Sequence, residues 1–143
     1  MIILDTNVLS ELMRPQRAAS VVDWVARQPA SRLFITAVTQ GEILYGIGLL
    51  SRGKRRDRIA AAAMAMFAED FADRILPFNS DSSAAFADIV VARRRAGRPI
   101  AQLDALIAAI ARTNGAAVAT RNVADFEGCG IELINPFQFS LSR

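Results

Sequence analysis

Five short apolar runs, each too brief to be a core helix, are spaced along this chain and separated by stretches of helical periodicity. That alternation is the tightest constraint on the fold. The first run, Ile2-Ile3-Leu4, has no polar residue between its apolar ones, so it reads as a strand buried on both faces. Leu33-Phe34-Ile35-Thr36, Arg74-Ile75-Leu76-Pro77-Phe78, residues 116–120 and residues 131–134 read as four more strands. Pro77 has no amide proton for a sheet ladder, which predicts that the third strand lies at an edge or ends there. Strands alternating with helices predict an α/β fold: a central parallel sheet with helices on both faces.

The helices are expected over 7–13 (stopped by Arg14-Pro15), 18–28, about 38–50, about 57–72, 82–96 and 102–113. Thr39 and Glu42 match a capping box at the start of the third. Its stripe is Ile43, Leu44, Ile47 and Leu50. A basic loop over 51–56 precedes the fourth helix, and Asp81 is the expected cap of the fifth, which Gly97 ends. In 102–113 the stripe Leu103, Leu106, Ile107 and Ile110 is joined by Ala105, Ala108, Ala109 and Ala111, which predicts a buried helix. The length of 143 residues suits one domain, 1–143.

The chain contains no histidine and one cysteine, Cys129. Histidine bases, imidazole ligands, disulfides and cysteine zinc sites are therefore excluded. Cys129, between two glycines, is expected to be a free thiol near a turn. Any chemistry must come from carboxylates, hydroxyls, amides and arginines, a set that suits hard cations such as Mg²⁺ or Mn²⁺. No uncharged apolar run approaches the roughly 20 residues needed to span a membrane. The N terminus opens on a strand with no basic segment before it, so no signal peptide is read and a cytoplasmic protein is expected.

The net charge is +3, and Lys54 is the single lysine. Arginines cluster at Arg52, Arg55, Arg56 and Arg58, and again at Arg93, Arg94 and Arg95. Such clusters can hold a phosphate backbone, or they can be solvated helix ends.

Four acids stand apart from the polar helix faces that hold most of the rest. Asp5 ends the first strand, and Glu42 sits early in the helix after the second. Asp104 lies near the start of the alanine-rich helix, and Asp125 lies five residues beyond the strand ending at Thr120. Each has a local explanation as a cap or a helix-dipole partner. Together they fall on one edge of a parallel sheet, because carboxyl ends of strands and amino ends of following helices share that edge. Each like-charge pair 4–5 Å apart costs on the order of 3–4 kcal/mol at an effective dielectric of 20. Either some acids are protonated or a divalent cation neutralises them.

The set Ile-Leu-Asp5-Thr-Asn, Glu42 in Thr-Gln-Gly-Glu-Ile-Leu-Tyr-Gly, Asp104-Ala-Leu-Ile-Ala-Ala-Ile-Ala, and Thr120-Arg-Asn-Val-Ala-Asp125-Phe resembles the PIN-domain family. More closely it resembles the VapC and FitB-type toxins of toxin–antitoxin pairs. The resemblance covers essentially the whole chain, including Ser-Glu-Leu-Met-Arg-Pro after the first strand and Asn135-Pro136-Phe137 near the end. It implies a PIN-like fold, Mg²⁺- or Mn²⁺-dependent endoribonuclease activity on an RNA substrate, and a homodimer. It also implies a DNA-binding antitoxin, with heterotetramers or larger assemblies. Carried over residue by residue, Asp5, Glu42, Asp104 and Asp125 become the catalytic and metal-binding acids. Thr6, Asn7, Thr120 and Asn122 become the polar residues around them.

Two other classes compete. A phosphorylation receiver also places aspartates at strand ends but normally uses a lysine near its last strand, whereas Lys54 lies in the basic loop. A PIN fold that has lost activity would serve as an interaction module, and the complete acidic set argues against it. An acidic cleft is also a socket for a partner's arginine, which binds carboxylates in a bidentate way. Leu9, Leu12, Met13 and Trp24 are candidate anchors for such a partner, with inward packing the alternative.

Overall fold

Ile2, Ile3 and Leu4 form the central strand, β1 (Ile2–Leu4), of a five-stranded sheet, and each is at most 4% exposed. The computed structural model describes residues 1–141. After β1 come α1 (Thr6–Leu12), α2 (Ala19–Ala26), β2 (Leu33–Thr36), α3 (Ala37–Gly48), α4 (Lys54–Ala65) and β3 (Ile75–Leu76). The chain continues through α5 (Ser80–Arg95), α6 (Gln102–Thr113), β4 (Ala117–Ala119), α7 (Val123–Phe126) and β5 (Leu133–Ile134). All strand pairs are parallel, in the order β3-β2-β1-β4-β5. The expected α/β architecture holds, and β3 sits at an edge, as Pro77 predicted.

Alternation along β1 divides the core. Ile2 and Leu4 pack on one face with Val8, Val21, Trp24 and Ile43 from the first three helices. Ile3 packs on the other with Ile89 of α5, Ile107 and Ile110 of α6 and Phe126 of α7. Helices therefore cover both faces. The chain passes from β1 to β2 on one side and reaches β4 on the other only after α6. The crevice between the carboxyl ends of β1 and β4 is thus the topological switch point, where open α/β sheets bind their ligands.

The cap of α1 is Asp5, whose Oδ1 accepts the Thr6 amide at 2.8 Å. Other local expectations are corrected. The cap of α3 is Thr36, whose hydroxyl accepts the Thr39 amide, so Thr39 and Glu42 do not form a capping box. Helix α5 starts one residue before Asp81, with Asn79 in the cap position. Helix α4 begins at Lys54, so Arg55 and Arg56 lie in a first helical turn and not in a loop. Cations are unfavourable at that end of a helix, and the macrodipole explanation fails for this cluster.

Helix α4 stops early because Met66–Asp70 widen into a π turn, closed by the Phe71 amide on the Met66 carbonyl at 3.1 Å. The wider turn lets Phe67 and Phe71 both enter the core. The Arg74 guanidinium then ties the carbonyls of Ala30, Leu33 and Asp70 together and lies over the Phe71 ring. On α3, Leu44 is exposed while Ile43 and Ile47 are buried, and on α6 Leu103 is exposed while Ala105 and residues 107–111 are buried. Leu9 and Trp24, read as possible anchors, are core residues; Leu12 and Met13 are only partly covered. Cys129 is free and buried. Among the described residues no helix is long and apolar enough to cross a membrane.

Candidate active site

Asp5 leaves β1 with its amide on the Ala119 carbonyl of β4 at 2.9 Å, which aims its side chain along the switch-point crevice. The carboxylate is 5% exposed and held from three directions. Oδ1 accepts the Thr6 amide at 2.8 Å, while Oδ2 accepts the Thr120 hydroxyl at 2.8 Å and the Asn7 side-chain amide at 3.1 Å. Burial still raises its pKa above the usual carboxylate value, with the charge of Glu42 adding to the rise and the three donors opposing it.

Glu42 is held through hydroxyls. Thr6 donates to its Oε1 at 2.7 Å, and the buried Thr39 hydroxyl lies 2.9 Å from that of Thr6. With the Thr6 proton committed to the carboxylate, Thr39 is left to donate to Thr6. Thr120 accepts the Asn122 amide at 3.0 Å, and Asn7 Oδ1 accepts the Arg121 amide at 3.1 Å. One hydrogen-bonded frame therefore joins the ends of β1 and β4 to the first turns of α1 and α3. No buried side-chain nitrogen or oxygen among the described residues lacks a partner.

Asp104 and Asp125 complete the set from α6 and α7. All four acids line one open cleft of about 550 Å³ with Thr6, Asn7 and Asn122. Thr120 stands behind Asp5, fully buried. Asp104 is half-buried, and its pKa is raised to about 6 by desolvation and then by the charges of Asp5, Asp125 and Glu42. Every carboxylate in the set is therefore brought to the expected edge. The acids surround the cleft without forming a closed cage: among the described residues, no three acidic side chains are grouped tightly enough to hold an ion among themselves. The donor chemistry fits a hard cation that keeps most of its water, since Mg²⁺ ordinarily takes one or two carboxylates directly.

Asp125 is held in place by a buried arginine. Arg93, 7% exposed, donates through Nη1 to the carbonyls of Asp125 at 2.7 Å and Glu127 at 3.0 Å, and through Nε to that of Arg98 at 2.7 Å. Arg98 in turn reaches the Ala124 carbonyl and the Glu127 carboxylate, both at 3.2 Å. Gly128 turns the chain beneath with φ +77°, its Cα side 3.7 Å from the Arg93 side chain where a Cβ would stand. Arg93 is thus removed from the candidate RNA-binding residues, because it is buried and its Nε and Nη1 are committed to backbone carbonyls. Arg94 and Arg95 remain exposed at the end of α5, as do Arg52, Arg55 and Arg58 at the other cluster; Arg56 is partly covered.

The cleft also contains residues that sequence reading passed over. Glu11 is 5% exposed, accepting the Ala18 amide at 2.8 Å and Arg14 Nη1 at 3.1 Å. That backbone bond, with help from Arg14 and Arg121, lowers its pKa. Ser10, Arg14 and Arg121 line the same space. The usable signal was adjacency: Arg121 sits between Thr120 and Asn122, and Thr39 stands three residues before Glu42.

A PIN domain model matches residues 2–127. The chain is 36% identical to VapC ribonuclease Y4jK of Sinorhizobium fredii over 138 residues, covering 96% of this chain and 99% of that protein. It is 35% identical to Toxin FitB of Neisseria gonorrhoeae over 137 residues, with the same coverage. The structure superimposes on the solved FitAB complex bound to an IR36 DNA fragment with a TM-score of 0.92 and 34% identity, over the full length of both chains.

Two measurements probe this arrangement. The pKa of Asp104 is raised on folding, so the folded state holds its proton longer than the unfolded chain. Without metal, stability should fall as pH rises from the ordinary aspartate value near 3.8 to about 6, then level off. Asp104→Asn should reduce that descent, leaving the part due to Asp5, and stabilise the metal-free protein above it, by on the order of 1 kcal/mol after allowing for solvent screening. Melting curves that descend equally in both proteins would count against the shared acidic cleft. In the second, Arg93→Met should destabilise by about 3 kcal/mol, because buried carbonyls lose a charged donor. Arg94→Ala should stay within about 0.5 kcal/mol, and equal effects in urea unfolding would refute the assignment of Arg93 to the Asp125 loop.

Proposed function

This chain belongs to the PIN-domain family, and from that membership we propose that it is the endoribonuclease toxin of a toxin–antitoxin pair, cutting RNA by metal-assisted hydrolysis. The observation that carries the reading is the meeting of Asp5, Glu42, Asp104 and Asp125, from four separate elements, in one cleft at the sheet's switch point. The relatives named as a VapC ribonuclease and as toxin FitB support it.

One or two of these acids would hold Mg²⁺ or Mn²⁺ directly, and the others would meet it through its waters. Such an ion, when bound, offsets carboxylate charge, acidifies water and polarises a phosphoryl oxygen. The chain's own residues prepare the site. Thr120, Asn7 and the Thr6 amide fix Asp5, and the Thr39–Thr6 hydroxyl pair fixes Glu42. Arg93 fixes the backbone that carries Asp125. The half-buried Asp104 faces this set across the cleft. In the reaction a water oxygen forms a bond to phosphorus and gives up a proton, the bond to the leaving sugar oxygen breaks, and that oxygen gains a proton.

A cytoplasmic ribonuclease needs restraint. We assign that role to a DNA-binding antitoxin, supported by the relative solved as FitAB on a DNA fragment. Its seat would be the apolar groove of about 790 Å³ lined by Leu12, Met13, Ile59, Met66 and Phe71, with Arg17 and Arg58 along it. Those cations suit a segment bearing acidic side chains. From there an antitoxin arginine would enter the acidic cleft. A homodimer, and with antitoxin a heterotetramer or larger assembly, is supported by Tyr45 and Leu49, each 70% exposed on or just after the helix that carries Glu42.

Purified free of antitoxin, the protein should cut RNA with Mg²⁺ or Mn²⁺ and not in EDTA. Asp104→Asn is the cleaner test of the acids, since an asparagine at position 5 would offer an amide where Asp5 accepts bonds. It should lower cleavage on the order of a hundredfold or more while the protein stays folded. Activity retained in EDTA, or in Asp104→Asn, would refute the metal assignment. Antitoxin affinity should fall as Mn²⁺ is raised, because ion and arginine compete for the same carboxylates. Affinity indifferent to metal, with full inhibition by an antitoxin lacking the arginine, would place inhibition at another surface.

A further inference from the structure

Arg121 borders the acidic cleft, and its charge reaches Glu11 without a direct ion pair. Among the described residues its guanidinium enters no salt bridge, whereas Arg14 beside it is paired with Glu11. It lies instead over the Phe137 ring, 3.9 Å from the centroid. Stacking of that kind leaves the in-plane N–H donors available.

The surroundings hold Arg121 firmly. Its amide donates to Asn7 Oδ1 at 3.1 Å, and its carbonyl accepts from the Asn135 side chain at 3.4 Å. Asn7 also bonds Asp5, so the backbone of Arg121 is registered to the buried carboxylate through one side chain. Phe137 is set by the Asn135 side chain, which accepts its amide at 3.0 Å, and it packs against the core on the face of Trp24. The Asn135-Pro136-Phe137 turn, which has no part in the acidic set, thus serves as a platform for one guanidinium.

Charge explains why a substrate site needs it. The cleft gathers four carboxylates, and an RNA strand crossing it brings further negative charge. Glu11, also at the cleft, is paired with Arg14 and accepts the Ala18 amide. Arg121 is therefore free to meet an anion, and its fork of donors matches phosphate oxygens.

We propose that Arg121, stacked on Phe137, is a phosphate-binding residue that grips the RNA backbone at a nucleotide adjacent to the one cut. The proposal rests on the nuclease reading and adds to it the residue that seats the strand. It also moves substrate contact from the distant arginine clusters to the cleft itself.

The test uses the Asp104→Asn protein, which keeps the Asp5–Asn7–Arg121 frame, and a fluorescent single-stranded RNA titrated across a range of salt. Arg121→Ala in that background should weaken binding roughly tenfold, the size of one charge-assisted contact. It should also lower the salt slope by about 0.7, the value for one phosphate on a single strand. Phe137→Leu should give a smaller loss in the same direction, and Arg121→Lys should recover the slope but not the full affinity. In the otherwise wild-type protein, Arg121→Ala should raise KM while leaving the Mg²⁺-induced rise in melting temperature unchanged. If parent and variant bind RNA with the same affinity and slope, the proposal is overturned while the nuclease reading stands. If Arg121→Ala weakens only antitoxin binding, Arg121 belongs to a protein interface and the proposal is likewise overturned. If the wild-type protein neither binds nor cuts RNA, the nuclease reading fails and takes the proposal with it.

Discussion

A charge buried at the end of the central strand is the constraint around which this structure is arranged. Asp5 follows three residues buried on both sides of a sheet, so its carboxylate enters a space where water is scarce. An ionised carboxylate there is tolerated only if donors surround it. Thr6, Asn7 and Thr120 supply them, from the first turn of α1 and the end of β4. The same bonds that make Asp5 tolerable hold the β1–β4 crevice in one geometry. Burial still outweighs those donors and keeps its pKa raised.

The repulsion among the acids is spread over several elements. Glu42 acts on Asp5 from α3, and Asp5, Asp125 and Glu42 together act on Asp104 of α6. The arginines answer in two distinct ways. Arg74 and Arg93 are structural, their guanidinium groups committed to backbone carbonyls where the chain turns between elements. Arg14 and Arg121 border the cleft, one quieting Glu11 and the other lying on an aromatic ring. A net charge of +3 therefore conceals an acidic centre within a basic surface.

The alternation of strands and helices and the sheet edge that carries the four acids were legible because both follow from short-range patterns. Apolar runs of three to five residues cannot be amphipathic helices, and an acid that ends such a run has few places to go other than the sheet edge. The same reasoning misread details governed by packing at a distance. Leu103 and Leu44 carry the helical stripe by spacing, but the space beside α6 is filled at close range by alanines, and both leucines face outward. Arg93 looked like its neighbours Arg94 and Arg95 because nothing local distinguishes three consecutive arginines at a helix end.

By itself, then, the order of residues determined the parallel α/β fold, the edge on which the acids gather and the kind of ion they suit, since periodicity and side-chain chemistry act over a few residues. Tertiary structure alone decided which donors hold those acids. Thr120 reaches Asp5 across 115 positions, and Arg93 reaches the Asp125 backbone across 32. It also decided that Phe137 would lie beneath Arg121. Such contacts depend on where separate elements come to rest, and hydrogen bonds and ring stacking operate over only a few ångströms. No local pattern can specify them before the sheet has brought the distant segments together.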